Sequence, residues 1–165
     1  MTDSPRLKRH PRDSRHETSR LMMPTDANNL GHVFGGAILA MIDTTAAISA
    51  IRHAHATCVT VSIDRVDFRE PIFLGDLVIM KSVVNFVGRT SMEVGVRVES
   101  ENLKTGERRH TNTAYVSFVA VDRDGRPIPV PELVPETDEE KARYAAAERR
   151  RARRLEVLKQ EGQIT

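Results

Sequence analysis

The sequence is poor in several residues that mark common protein classes. It contains a single cysteine, Cys58, no tryptophan, and only 4% aromatic residues. One thiol cannot form an internal disulfide and has no neighbouring metal ligand, which favours a reducing, cytoplasmic compartment. So few aromatic side chains leave little surface for base stacking. These absences argue against a disulfide-stapled secreted domain and against a nucleic-acid-binding platform.

Several well-known sequence signatures are also missing. The chain has no glycine-rich nucleotide loop, no GxSxG elbow, and no HExxH or comparable spacing among its six histidines. A nucleotide-loop enzyme, a serine hydrolase and a metalloenzyme are therefore all disfavoured, and we expect no metal ion. The first twenty residues hold no apolar run, so a secretory signal is not expected either.

The net charge of +2 conceals an uneven distribution along the chain. Residues 1–20 carry six Lys and Arg against three acids, residues 21–140 eleven against seventeen, and residues 141–160 eight against two. A mildly acidic body between two basic ends is not the pattern of a nucleic-acid interface. We expect 1–17 to be a disordered basic segment, 18–135 the folded domain, and 136–165 a basic helix and tail.

The segment GHVFGGAILAMIDTTAAISA, residues 31–50, combines a glycine pair with a long apolar run. Small and aliphatic residues from 34 to 52 predict a helix that is apolar on nearly every side and therefore buried. Asp43 interrupts the run, and a buried ionised carboxylate is costly unless a partner or a function accounts for it. Because the helix is short for a bilayer and Asp43 sits near its centre, we expect no membrane span.

Downstream of this helix, apolar and polar residues alternate, which predicts β-strands. The predicted strands cover 57–68, 76–87, 91–101 and 107–121, after a shorter one near Ser19. Short turns such as GRT and NLKTG join them, so the sheet is antiparallel. A second helix is predicted over 137–159, capped by Thr137 and Glu140, with its arginines facing water or a polyanion. The fold class is α+β, with the apolar helix on one face of the sheet.

The motifs PTDANNLGHVFGG, MID, VDF, EPIFLGD, NFVGRTSMEV, YVSFVAVD and VPELVPET follow one another in this order. Together they resemble the hotdog-fold acyl-CoA thioesterases of the broad-range bacterial and brain acyl-CoA hydrolase type, over most of the chain. The resemblance implies a hotdog fold, in which an antiparallel sheet wraps a long central helix, with the C-terminal helix appended. It also implies hydrolysis of fatty acyl-CoA to fatty acid and CoA, with no cofactor beyond the coenzyme A of substrate and product.

Four residues are candidates for the catalytic site: Asp43 and Asn28 match the family's pattern, Gly36 lies at the helix start, and His32 stands where relatives of the family have Asp or Asn. Asp43 matches the acidic residue proposed as general base or nucleophile, and both roles stay open. The amide of Gly36 would stabilise the developing oxyanion from a helix N-terminus. Asn28, rather than Asn29, matches the DxN spacing for orienting the carbonyl or the water, although it can equally close an Asx-turn. His32 is either a second polar group near the water or an ordinary loop histidine.

The resemblance further implies substrate-binding residues and an assembly. Phe34 and Gly35 would contact the acyl thioester. The turn Arg89, Thr90 and Ser91 would approach the coenzyme A phosphates through the Arg89 guanidinium, unless it is only a hairpin turn. A two-fold dimer, often assembled into a homohexamer, would bring the catalytic aspartate of one protomer to the asparagine loop of another.

Two other functions remain open. One is a non-catalytic acyl-CoA sensor, which is disfavoured because the basic ends lack a helix-turn-helix pattern. The other is a hotdog enoyl-CoA hydratase, which is disfavoured because no histidine lies between Asp43 and His53.

Overall fold

The computed structural model describes residues 6–162. Its helices are α1 (Pro11–Ser14), α2 (Gly35–Ala54) and α3 (Asp138–Gln160), and a 3₁₀ turn spans Pro24–Asp26. Its strands are β1 (Lys8–Arg9), β2 (His16–Leu21), β3 (Thr57–Ile63), β4 (Asp76–Val87), β5 (Ser91–Asn102), β6 (Arg108–Val121) and β7 (Glu132–Leu133).

Five strands form one antiparallel sheet in the order β2-β4-β5-β6-β3, so β2 and β3 are its edges. One face packs on α2 through a fully buried apolar layer. That layer contains Val78, Met80, Val84, Val94, Val96, Val98, Ala114, Val116 and Phe118 from the sheet and Ile38, Ile42, Ala46 and Ala50 from α2. The C-terminal helix α3 lies on the other face, where the Tyr144 ring packs against the Phe86 ring at a tilt of 56° with centroids 5.0 Å apart. The predicted α+β hotdog arrangement is thereby confirmed.

The predicted capping box at the start of α3 is present. Glu140 N donates to the Thr137 hydroxyl at 3.1 Å, and Thr137 N donates to the Glu140 carboxylate at 3.2 Å. Two of the first turn's free amides are satisfied in this way, and the acidic residue also complements the positive helix end.

The prediction that α2 is buried on nearly every side is wrong for the single chain. Ile38, Ile42, Thr45 and Ala46 face the sheet and are buried, whereas Ile51 on the other side is exposed. By length and composition, Gly35–Ala54 is the one described helix that could cross a membrane. Since its sheet-facing side is a packed protein core and Asp43 lies midway, the helix has the character of a core helix with an uncovered side.

The prediction of disorder over residues 1–17 differs from the structure from Lys8 onward, while residues 1–5 lie outside the described part. β1 pairs in parallel with β7, and the Ser14 hydroxyl accepts a hydrogen bond from Val84 N at 3.0 Å. The dense positive charge that argued for disorder is neutralised by carboxylates near the start of α3. Arg12 pairs with Glu136, and Arg15 pairs with Glu140 at 3.4 Å.

The prediction that the arginines of α3 face water or a polyanion is wrong for Arg150 and Arg154. Arg150 donates through Nη2 and Nε to the carboxylate of Glu93 on β5, with the shortest contact at 2.7 Å. Arg154 Nη1 lies 3.1 Å from the same carboxylate and 2.8 Å from Asp64. The Glu93 side chain is only 1% exposed, so α3 is held to the sheet by an almost fully desolvated charge cluster.

His53, on the buried side of α2, is fully enclosed. Its Nε2 lies 2.9 Å from the Pro131 carbonyl oxygen, to which the neutral ring donates. Its Nδ1 is buried with no partner among the described residues. Burial lowers the pKa of His53 below its usual value, because an imidazolium here would lose its hydration and leave one N–H unpaired.

We expect the free energy of unfolding to fall as the pH drops below about 6.5, because His53 becomes protonated there only in the unfolded chain. The unfolded state then binds more protons, and this one group contributes a loss of at most about 1.4 kcal/mol per pH unit. His53→Gln keeps an amide donor but does not titrate, so this part of the pH profile should flatten. Urea unfolding at fixed protein concentration measures the difference. An identical pH dependence in the two proteins would contradict the assignment.

Candidate active site

The loop before α2 is closed by Asn28. The Asn28 side-chain oxygen accepts hydrogen bonds from Leu30 N at 2.8 Å and His32 N at 3.1 Å, and Asn28 N donates to the His32 carbonyl at 2.7 Å. Gly31, with φ of +77°, allows the chain to reverse between them. The Asx-turn considered from the sequence is therefore present, and the remaining donor of the Asn28 carboxamide is its NH₂ group.

The amides of Gly35 and Gly36 open α2. They precede the first hydrogen bond inside the helix, and within the described chain neither has a hydrogen-bond partner. A Cβ atom added at Gly36 would overlap the ring of Phe34, and one at Gly35 would lie 3.5 Å from Phe68. Two donors with the positive end of a 20-residue helix behind them form a site that attracts an anionic oxygen.

Asn28 and Gly35 line one cavity of about 410 Å³. Asn28, His32, Gly35 and Ile38 line one side, and the segment 68–72 lines the other. The His32 ring packs edge-on against Phe73 with centroids 5.3 Å apart. The structure therefore places Asn28, His32 and Gly35 around one cavity, whereas Gly36 lies next to it beneath the Phe34 ring.

Asp43 does not reach that cavity within its own protomer. It lies seven residues beyond Gly36, which is about 10 Å along the helix axis. Its side chain is half-buried, and Thr60 on β3 donates a hydrogen bond to Asp43 Oδ1 at 2.7 Å. The two halves of the predicted site, the carboxylate and the amide donors, are thus separated along α2.

Thr60, the hydrogen-bond partner of Asp43, was not singled out by the sequence reading. The pairing of β3 with β6 shifts its register between Thr60 and Ser62, so Val61 is the extra residue of a β-bulge. Bulges re-aim side chains and often lie beside active sites. The pattern also predicts that this strand continues to 68, but β3 ends at Ile63, two residues after the bulge. A threonine opposite an intrahelical aspartate gives no local sequence signal.

The turn of Arg89, Thr90 and Ser91 lies at the other end of the sheet. Its backbone is tied to other segments, since Val130 N donates to the Arg89 carbonyl and Ala120 N donates to the Thr90 carbonyl, both at 2.9 Å. None of the three turn residues is among the residues that line the cavity in one protomer.

The uncovered side of α2 adjoins an unpaired sheet edge. β3 is an edge strand whose Val59 and Val61 side chains are exposed, and Asp43 lies between this strand and the open side of the helix. Soluble proteins usually protect such edges with charge, and an apolar edge beside an apolar helix face is a surface for association.

Cys58, on β3, is not a competing nucleophile. Burial raises the pKa of its thiol to about 11, so the reactive thiolate is scarce at neutral pH. Among residues 6–162, no group of three or more His, Cys, Asp or Glu side chains is arranged to hold a metal ion.

A larger cavity, of about 660 Å³, lies on the opposite face between α3 and the sheet. It contains none of the predicted site residues. Its cations are already paired with carboxylates: Arg15 with Glu140, Lys81 and Arg97 with Glu99, Arg143 with Glu139, and Arg150 with Glu93. With these cations already paired, the lysine and arginine side chains that line this cavity offer no unpaired charge to an anionic substrate.

Comparison with known proteins gives a consistent result. The family model of the thioesterase superfamily matches residues 30–107. The uncharacterized acyl-CoA thioester hydrolase YkhA of Bacillus subtilis is 49% identical over 124 residues, which cover 75% of this chain and 72% of the relative. A hexameric acyl-CoA thioesterase solved without ligand is 45% identical, with a TM-score of 0.87 over 91% of this chain and 96% of the other.

An acyl-CoA hydrolase from Staphylococcus aureus, solved with butyryl-CoA, CoA and CoA disulfide, is 37% identical. Its TM-score is 0.83, over 94% of this chain and 97% of the other. Further structures of that hydrolase carry alanine in place of an aspartate numbered 43, an asparagine numbered 28 or a threonine numbered 60. This chain has the same residue types at the same three numbers.

Proposed function

This chain belongs to the acyl-CoA thioester hydrolases of the thioesterase superfamily, and from that premise we propose how its residues hydrolyse the thioester bond. The observation that carries the proposal is the Asp43–Thr60 hydrogen bond on the uncovered side of α2. A carboxylate fixed at 2.7 Å by a hydroxyl, beside an apolar surface that a second copy can cover, is oriented for proton abstraction or direct attack.

Asp43 either removes a proton from the attacking water or attacks the thioester carbon itself. When water attacks, the carbon–sulfur bond breaks and the fatty acid forms directly; when Asp43 attacks, the same bond breaks to leave an acyl–aspartyl anhydride that water then hydrolyses. In both cases the CoA sulfur takes up a proton, and the products are a fatty acid and free CoA. Thr60 holds one carboxylate oxygen, so the other oxygen is left to face the water or the carbonyl. No metal or other cofactor takes part in this proposal.

The thioester oxygen binds at the start of α2. The Gly36 amide, with Gly35 beside it, donates to the oxygen as negative charge develops, and the helix end adds a fixed positive potential. The Asn28 NH₂ group is the next donor along the same cavity. His32 contributes to the cavity wall through its contact with Phe73. Phe34, whose ring covers Gly36, rotates aside or packs on the acyl thioester.

The two halves of the site are joined by a second copy of the chain. A two-fold dimer that pairs the β3 edges covers Val59, Val61 and the open side of α2, which are uncovered in one protomer. With the helices antiparallel across such an axis, Asp43 of one protomer approaches the glycine pair of the other. The same two-fold dimer brings the turn of Arg89, Thr90 and Ser91 toward the partner's cavity, where Arg89 contacts the coenzyme A phosphates. We propose three such dimers in a homohexamer in the cytoplasm.

The proposed activity is tested by the release of CoA thiol from purified protein incubated with short-chain to long-chain acyl-CoAs. We expect rapid release that peaks at one range of chain length, because a closed acyl cavity discriminates by size. Tight binding of acyl-CoA without release would contradict hydrolysis and favour an acyl-CoA sensor. Butyryl-CoA is the first substrate to try, since it was bound in the Staphylococcus aureus relative.

A further inference from the structure

The cavity wall opposite the glycine pair has no regular secondary structure. Residues 64–75 contain neither a helix nor a strand, and 68–72 of this segment line the cavity. Its backbone is held by one isolated bridge, between His32 and Phe73, and a few single hydrogen bonds, so its shape also depends on side chains from elsewhere. We infer that Arg109, on β6, is the positioning residue that holds this wall for acyl-CoA binding, an inference that rests on the proposed function.

Arg109 contacts the wall through several groups at once. Its Nη1 lies 2.9 Å from Glu70 Oε2, and its Nη2 donates to the Pro71 carbonyl at 3.3 Å. Nη2 also lies 3.8 Å from Asp76, whose carboxylate accepts from Phe73 N at 3.1 Å. The guanidinium carbon sits 5.7 Å from the centroid of the Phe73 ring. One side chain thus fixes the wall by two hydrogen bonds, an ion contact and a cation–π contact.

The wall is connected directly to the catalytic loop. Val33 N donates to the Ile72 carbonyl at 2.9 Å, and the His32 ring packs against the Phe73 ring. A displacement of 70–73 therefore moves His32 and Val33, which lie just before the Phe34 N-cap of α2. Arg109 touches none of the proposed reacting groups and acts on them only through this wall.

The geometry requires arginine in particular. A planar fork with donors on both terminal nitrogens serves Glu70 and Pro71 together and can still lie against a ring, whereas a lysine ammonium is a single point charge. The Arg109 side chain is 28% exposed and that of Glu70 50%. Ion pairs this exposed contribute little to global stability, so the consequence of losing Arg109 is local to the wall.

The test compares Arg109→Met with Arg108→Met in the full-length protein. Arg108 is the adjacent residue on β6 and makes an ion pair of 2.8 Å with Glu101, away from the cavity. We expect Arg109→Met to raise KM for acyl-CoA by about tenfold with kcat changed by less than about threefold, which is the signature of weakened substrate positioning. Arg108→Met should leave both constants near wild type, and Arg109→Lys should fall between. Melting temperatures should stay within about 3 °C of wild type.

Amide hydrogen exchange gives a second readout that needs no turnover. In Arg109→Met, the amides of Val33 and Phe73 should exchange faster than in Arg108→Met, because their acceptors lie on the wall or depend on it. If the wild-type protein turns over acyl-CoA but the two variants have equal KM values and equal exchange, the inference about Arg109 is overturned. If the wild-type protein shows no turnover at all, the proposed function fails instead, and the exchange comparison still decides whether Arg109 holds the wall.

Discussion

Asp43→Asn should lower kcat for acyl-CoA hydrolysis by about a thousandfold, because an amide can neither accept the proton of a water nor attack the thioester. The substitution keeps the size of the side chain and leaves an oxygen to accept the Thr60 hydroxyl hydrogen bond. Binding should therefore persist, with KM changed far less than kcat. Initial rates of CoA release, measured with one acyl-CoA over a range of concentrations, give both constants.

The control is Thr44→Val, next to Asp43 on the same helix. The Thr44 hydroxyl is exposed and donates only to its own helix, to the Ala40 carbonyl at 2.9 Å. This variant should keep wild-type kcat to within a few-fold, since surface changes of this kind are usually small. Undiminished hydrolysis by Asp43→Asn in a protein that melts normally would show that another group performs the chemistry.

Glu93→Gln should destabilise the protein by about 3 kcal/mol, the largest stability effect we expect from a single isosteric change. Glu93 is the counter-charge for Arg150 and Arg154, whose side chains are 15% and 24% exposed. A glutamine fills the same space but leaves two largely desolvated guanidinium groups with only Asp64 nearby. The guanidinium of Arg150, 3.5 Å from the centroid of the Tyr115 ring, cannot turn to water without leaving that ring.

The control variant is Glu101→Gln, farther along β5. Glu101 forms an ion pair with Arg108, whose side chain is 55% exposed. This pair should contribute no more than about 1 kcal/mol. Both variants are compared by thermal or urea unfolding at one protein concentration, because assembly makes apparent stability concentration-dependent. Equal stability losses in the two variants would contradict a special role for the Glu93 cluster.

Patterns among neighbouring residues were sufficient to predict the long strands of the sheet and the start of the C-terminal helix. Alternation predicted the strands that became Asp76–Val87, Ser91–Asn102 and Arg108–Val121 to within a residue, because each is long and has one face packed on α2. The capping residues Thr137 and Glu140 predicted the start of α3 for the same local reason. Both signals depend on neighbours in sequence.

What the local patterns missed depends on residues distant in sequence. In the sequence, Glu93 looks like an ordinary polar residue of a strand. It can be buried because Arg150 and Arg154, 57 and 61 positions later, pair with its carboxylate. The N-terminal segment read as disordered because its acidic partners lie near the start of α3, some 124 residues away. Thr60 depends on a bulge that shifts the strand by one residue, and alternation alone does not reveal it.

The candidate site is still harder to predict from neighbouring residues in the sequence. Asn28, His32 and Gly35 are near in sequence and share a cavity in one chain. Asp43 follows on the same helix, yet the rigid rise of that helix keeps it about 10 Å from the Gly36 amide. In the proposed dimer the other half of the site comes from a second copy, and only the resemblance to known thioesterases indicated that from sequence.

The central claim, that Asp43 of one protomer works with the asparagine loop of another, is tested most directly by mixing two inactive variants. Asp43→Ala and Asn28→Ala are purified separately, assayed, then unfolded and refolded together in equal amounts. In a two-fold dimer, half of the randomly formed pairs are mixed and each mixed pair has one intact site, so the account predicts recovery to about a quarter of wild-type activity. Activity no greater than the average of the two refolded variants would mean that each protomer carries its own complete site.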